Sequence, residues 1–400
     1  MGLAAACVSC EKISARNNPY TPMILSTKAS GFVQEGNTFA LNFIDKINSA
    51  SDKDYIMSPL SMQFLLGMLL DGAEDETAAE ICNVLGYGAG EVAEVNDYCL
   101  SMLSQLPEMD KLTKLNIANA IFLNELCPLK EDYKNRVEKY YDAKVSNLDF
   151  SDVPGSTKKI NKWCSDQTNG MITKILDAVD PGMLAYLLNA MYFKGQWKEK
   201  FSKSATAEET FTDETGVSSQ KKMMKLDKRF SYTENDVFQA VRLPYGNGAF
   251  SMTVLLPLAG HKVAEITGEL RNAGGWKEFV RSMDGYDVDL WLPKFETGFS
   301  MVLNDILSEM GMPRAFNPLM AQFRAMSPNA LCLGFVKQDA AIKVDEDGTE
   351  AAVVSMAGMV GDAAPEPGSH VVFHADHPFM YIISESSSGA ILFAGRFGGK

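Results

Sequence analysis

Four hundred residues, 46% hydrophobic and 22% charged, describe a folded chain with apolar mass for one large mixed domain or two ordinary ones. Acidic side chains outnumber basic ones by 51 to 37, and the formal charge of −14 argues against nucleic acid and anionic lipid as partners. No run of about eighteen apolar residues occurs, so no helical segment is expected to span a membrane.

The N-terminal stretch "MGLAAACVSCEK" is small and apolar up to Cys7 or Cys10 and then turns polar. Two readings stay open for this tail, residues 1–25. It is the cut-down end of a bacterial lipoprotein signal, with lipid on Cys10 as the one membrane contact and the protein at the cell envelope or outside it, or it is a plain tail. The seven cysteines, at 7, 10, 82, 99, 127, 164 and 332, are odd in number and lack zinc-site spacing. The last five read as buried free thiols behaving as small apolar residues.

From Phe39 to Ile47 the apolar residues keep a helical rhythm. A short strand follows at "YIM". Ser58 and Pro59 then cap a helix from Leu60 to Leu70 that is apolar on every side and so buried. "GYGAGE" at 86–91 reads as a helix terminus and turn rather than a dinucleotide loop, because its glycines lack that spacing. Strand formers fill 112–125 and 183–197, and "FSMTVLLPL", "DVDLWLPKF", "ALCLGFVKQDAAIKVDE", "HVVFHADHPFMYIISE" and "GAILFAGRF" add five further runs. Helical patterns at "TKKINKWCSDQTNG" and "SMVLNDILSEMG" fall between them without regular alternation. This order excludes a doubly wound parallel sheet and predicts an α+β fold on large sheets, one domain over 26–400.

Catalytic signatures are missing. There is no Gly-x-Ser-x-Gly elbow, no His-Glu-x-x-His helix and no phosphate-binding loop. Of four histidines, His370, His374 and His377 crowd together, yet His377 would leave the face that His370 and His374 share on a strand, so a metal site would require the strand to break. Carboxylates such as those of "DEDGTE" read as a solvated cluster.

The stretch "DEDGTEAAVVSMAGMVGDAAPEPGSH", residues 345–370, leaves about twenty residues between two strand-like runs, longer than an ordinary connection. From Thr349 to Asp362 it has no proline, and its two charges, Glu350 and Asp362, have the same parity. As a strand it would present one uncharged face of small residues, Thr349, Ala351, Val353, Ser355 and onward. A flexible, protease-sensitive loop is the alternative.

"DEDGTEAA" resembles the hinge of the serpins. "SPLS", "GAEDETAAEI", "NAIFL", "INKW", "TNGMI", "LLNAMYFKGQW", "LPY", "LPKF", "HADHPF" and "GAILFAGR" are similar to serpin landmarks in serpin order along nearly the whole chain. The resemblance implies the serpin fold, with three β-sheets, eight or nine helices and an exposed reactive-centre loop at about 348–370. It also implies an irreversible inhibitor of serine, or cysteine, proteases that traps the acyl-enzyme by inserting the cleaved loop into the main sheet. Glu346, Gly348, Thr349, Glu350, Ala351 and Ala352 would form the hinge. The bond Asp362–Ala363 would be cut, which suits granzyme-B-like, glutamyl-endopeptidase-like or caspase-like enzymes. Cleavage after Met359, Val360 or Ala363 would suit elastase-like or subtilisin-like ones. Trp197, Lys294 and Glu346 would lie at the breach above the main sheet, with Lys294 and Glu346 as an ion pair. Ser58, Ser61 and Asn189 would lie at the shutter, where Gln338 departs from the histidine common in the family. No cofactor and no metal are implied. No basic stripe marks a heparin site around 60–85 or 100–140, and the partner expected is the target protease, held covalently by a monomer. The alternative function is a non-inhibitory serpin acting as substrate or binding module, which small, proline-free hinge residues disfavour.

Overall fold

The computed structural model describes residues 17–50, 53–334, 336–349 and 370–399. Cys7, Cys10, Glu350, Ala351, Ala352, Asp362 and Ala363 lie outside the described residues.

Helix α1 (Thr27–Ala50) begins twelve residues before the rhythm at Phe39, because Phe32 and Val33 already belong to its buried stripe. After β1 (Tyr55–Met57), Ser58 stands in extended conformation and its hydroxyl accepts from the Ser61 amide at 3.1 Å, so α2 (Pro59–Gly72) starts where a cap and a proline both favour it. Every residue of α2 is buried, as its all-round apolarity requires. Helix α3 (Asp75–Leu85) ends at Gly86, whose φ of +77° is the left-handed cap, and α4 (Val92–Gln105) follows the turn. The remaining helices are α5 (Glu131–Tyr141), α6 (Val153–Gln167), α7 (Ile266–Asn272), α8 (Trp276–Arg281) and α9 (Asn304–Met310).

Two hydrogen-bonded sheets are described. The first contains β2 (Thr113–Asn124), β3 (Ala143–Leu148), β4 (Ala185–Gln196), β10 (Phe295–Val302), β11 (Lys337–Asp345) and the two-residue β12 (Gly348–Thr349), in the order β10-β11-β12-β4-β2-β3. The run expected from Ala330 is a strand only from Lys337.

The second sheet runs β1-β15-β14-β8-β7-β6-β9-β13, with β5 on the flank of β6. Its members are β5 (Ala207–Thr212), β6 (Ser218–Glu234), β7 (Phe238–Pro244), β8 (Phe250–Pro257), β9 (Asp284–Pro293), β13 (His370–His374), β14 (Phe379–Glu385) and β15 (Ile391–Phe397). The three sheets expected become two connected bodies because β6 is continuous: Met223 to Tyr232 pair with β9, while Ser231 to Glu234 pair with β7. Strands β5 to β7 were absent from the sequence reading. β6 carries so many lysines that its apolar alternation is obscured.

The main core lies between the second sheet and α1, α2 and α4, and a smaller cluster around Phe122, Trp163 and Leu188 packs α6 on the outer face of the first sheet. Mixed helices and sheets of this kind are the α+β architecture expected.

Candidate functional site

The site is built where β4 and β11 approach one another. Among the described residues, β11 is hydrogen-bonded to β10 and β12, and β4 to β12 and β2. Gly348 and Thr349 thus link the two strands at one end, with Gly348 opposite Gln196 and Asp345, and Thr349 opposite Gly195 and Val344. Beyond Thr349 lies a crevice walled by Met191 and Phe193 of β4 and Ile342 of β11, and floored by Ile56, Ile383 and Phe393. A strand continuing β12 there would be antiparallel to both neighbours and could hydrogen-bond to each.

Gly348 has φ of +154°, and a Cβ on it would lie 2.1 Å from the carbonyl oxygen of Gly195, so no side chain fits. Thr349 is buried, and its hydroxyl shares a 2.6 Å hydrogen bond with that of Tyr245. The Tyr245 ring stacks on Trp197 at 4.5 Å between centroids. Trp197 in turn donates from Nε1 to the carbonyl of Asp345 at 2.9 Å and from its amide to that of Asp347 at 3.0 Å. Tyr245 is a site residue that sequence reasoning missed; it closes "LPY", a motif quoted only as a landmark.

The carboxylates of 345–347 are not a solvated cluster. Glu346 is 5% exposed; Lys294 Nζ lies 2.6 Å from its Oε2, and Thr206 donates to Oε1 at 2.9 Å. Burial alone would raise the Glu346 pKa, but the hydrogen bonds from Lys294, its own amide and Thr206 outweigh it and hold the carboxyl below its usual range. Asp347 is held low chiefly by Lys203, at 2.7 Å, against the opposing effect of burial and with further help from Lys200, at 3.3 Å. These cations fix the turn from which the segment after Gly348 departs.

Lower in the sheet, Gln338 is buried and takes both backbone groups of Ser58: its Nε2 donates to the carbonyl at 2.9 Å and its Oε1 accepts from the amide at 3.2 Å. The Ser58 hydroxyl donates to the Leu392 carbonyl at 2.8 Å. Ser61 donates from its hydroxyl to Asn189 Oδ1. Asn189 donates to Asn119 at 2.7 Å, and Asn119 to the Tyr141 carbonyl at 2.6 Å. A buried polar chain therefore crosses β11, α2, β4, β2 and α5, and Gln338 serves in it without a titrating group. Asn119 entered the sequence analysis only as the first residue of the landmark "NAIFL", and Tyr141 carried no signal there.

The histidines diverge. His370 Nε2 lies 3.1 Å from Asp289, His374 Nε2 lies 3.0 Å from Glu209, and His377, beyond the end of β13, lies 2.8 Å from the Pro257 carbonyl. Among the described residues no group of three His, Cys, Asp or Glu could hold a metal. Cys82, Cys99, Cys127 and Cys164 are buried free thiols, whereas Cys332, at the end of an irregular stretch, is only half-buried.

Comparison with known proteins gives one answer. The family model described as serpin (serine protease inhibitor) matches residues 34–398. Serpin B6 of Macaca fascicularis is 32% identical over 375 residues, 91% of this chain and 98% of the relative. An uncharacterized serpin-like protein of Thermococcus kodakarensis is 32% identical over 362 residues, 90% of this chain and 84% of its own. Among solved structures, native tengpin, a thermophilic serpin, superposes with a TM-score of 0.83 at 26% identity, covering 96% of this chain and 97% of that one. Cleaved Serpin 42Da gives 0.84 at 25% identity, covering 94% and 100%.

Proposed function

This chain belongs to the serpin family, and on that premise we propose that it is an irreversible suicide inhibitor of serine proteases, cut at Asp362–Ala363. The observation that carries the reading is the position of Gly348 and Thr349, already hydrogen-bonded between β11 and β4 at the head of the crevice. In the proposed step the protease serine oxygen attacks the Asp362 carbonyl carbon. The Asp362–Ala363 amide breaks, Ala363 leaves as an amine with a proton from the protease base, and the protease stays esterified through Asp362.

Thr349 faces the core, so a strand continuing its register would bring Ala351, Val353 and Ser355 to the same side. Small, uncharged residues enter a crevice of this kind without the cost of burying charge. Insertion that outruns hydrolysis of the ester leaves a covalent complex. Slower insertion leaves a cleaved substrate.

The test is incubation with elastase-like, subtilisin-like, glutamyl-endopeptidase-like and granzyme-B-like proteases, followed by denaturing gels and mass spectrometry. A complex stable to SDS, with a released peptide beginning at Ala363, is the expected result; a different first residue moves the bond and keeps the mechanism. Clean cleavage by every protease without complex would overturn inhibition in favour of a substrate-like serpin.

A further inference from the structure

The chain holds 22 methionines, and one of them stands where the proposed insertion has to pass. Met191 shares its face of β4 with Asn189 and Phe193, because alternate residues of a strand point the same way. Its side chain lines the crevice together with Ile56, Ile342 and Met171, the last on the segment after α6. Met57, Met252 and Met380 are fully buried, whereas Met191 is only half-buried. The free volume of the crevice is about 10 Å³, room for one molecule the size of water. A small neutral oxidant therefore reaches this sulfur more readily than those of the core.

Oxidation there would not be silent. Met191 Sδ lies 3.1 Å from Ser58 Oγ. That hydroxyl has one proton, which it gives to the Leu392 carbonyl at 2.8 Å, while its oxygen caps α2 through the Ser61 amide. A thioether competes poorly for the proton, since its sulfur is a weak acceptor. A sulfoxide competes well, because its oxygen carries the negative end of a strongly polar bond. The added oxygen either draws the Ser58 proton from Leu392 or stays without a donor among Ile56, Ile383 and Phe393.

With Gly348 opposite Gln196 and Thr349 opposite Gly195, the same register carried onward sets position 353 opposite Met191. A strand entering there closes on an apolar thioether in the reduced protein. In the oxidised one it has to bury the new oxygen.

We infer that Met191 is an oxidation site for peroxide-class oxidants and that its sulfoxide hinders strand entry. The second half rests on the insertion proposed above. In the oxidation the sulfur lone pair attacks one peroxide oxygen, an S–O bond forms, the O–O bond breaks, and the other oxygen leaves as water after proton transfer. Sulfur loses two electrons and the peroxide gains them. Methionine sulfoxide reductase reverses the step with two thiols, which become a disulfide as the oxygen leaves as water.

The test treats the protein with dilute hydrogen peroxide and follows each methionine by peptide mass spectrometry. Met191 should oxidise about tenfold faster than Met57, Met252 and Met380. The native chain and Met191→Leu, a swap that keeps the volume, are then each compared with their own unoxidised form. Two quantities are read: inhibitor molecules consumed per protease inactivated, and the urea midpoint after the loop is cut. Oxidation should raise the first several-fold and lower the second in the native chain, with a clearly smaller change in Met191→Leu. The two proteins share every other methionine, so the difference belongs to position 191. Methionine sulfoxide reductase should restore the native chain where thiol alone does not, which separates sulfoxide from oxidised cysteine. Equal changes in the two proteins, or a Met191 no faster than the core methionines, would overturn the inference. A cut protein that gains no urea resistance even when unoxidised would sink strand insertion and the second half of the inference with it, and the mass spectra still decide the first half.

Discussion

A Cβ on Gly348 would sit 2.1 Å from the carbonyl oxygen of Gly195, a contact with backbone that no rotamer can relieve. The absence of a side chain is therefore what allows β12 to lie between β11 and β4. Gly348→Ala must push the strand off Gln196 and Gly195, delaying entry of everything that follows. The expected outcome is a several-fold rise in the number of inhibitor molecules consumed per protease inactivated, with the loop still cut at its normal rate. A titration of residual protease activity against inhibitor concentration checks it, and an unchanged stoichiometry would show that Gly348 does not limit insertion.

Glu346 and Lys294 give the molecule a pH dependence whose sign is determined by the lowered carboxyl pKa. A carboxylate held lower in the folded than in the unfolded chain stabilises above the unfolded value, about 4.3, and that contribution fades as pH falls through the folded pKa. Native-state stability should therefore decline below about pH 4.3 through this pair, and Glu346→Gln should flatten that part of the curve. Lys294→Met leaves a buried carboxylate with Thr206 alone among its side-chain donors and should cost about 3 kcal/mol at neutral pH. Thermal melts of the three proteins between pH 3 and 8 make the comparison. An acid limb of equal steepness in Glu346→Gln would assign the decline to other carboxylates.

Much of this arrangement is legible in the sequence. The Ser58-Pro59 cap, the wholly buried α2 and the strands at 113–124 and 185–196 follow from local chemistry, since capping, burial and alternation act over a few residues. The pairing of Lys294 with Glu346 came only from family likeness, because 52 residues separate them and their own composition suggests a solvated surface. Tyr245 shows the limit more sharply: nothing in "LPY" indicates that its ring would stack on Trp197 and its hydroxyl meet Thr349, which is 104 residues away. β6 was hidden for a different reason: Met224, Leu226, Phe230 and Tyr232 keep one parity toward the core, but Lys228 breaks that parity and Lys221, Lys222 and Lys225 stand among them, so the alternation does not stand out.

Gln338 offers the cleanest separation of hydrogen bonding from titration. Its amide satisfies both the amide and the carbonyl of Ser58, each within hydrogen-bond reach and out of solvent. Gln338→Leu keeps the volume roughly constant and strands the Ser58 amide, while the Ser58 carbonyl keeps the Met62 amide at 3.2 Å, so the native state should lose about 1–3 kcal/mol. Gln338→His can serve the amide or the carbonyl as a neutral ring, but not both from one nitrogen, and adds a group whose unperturbed pKa is about 6.5. The native protein should therefore show no stability transition from this position between pH 5 and 8, whereas the histidine variant should acquire one. Burial opposes protonation of the ring, and a ring pKa depressed in the folded state makes stability fall as pH drops through the unfolded value. Urea midpoints of the three proteins at pH 5.5 and 8 decide the matter. A pH-independent histidine variant would place that ring outside the polar chain that joins β11 to α2.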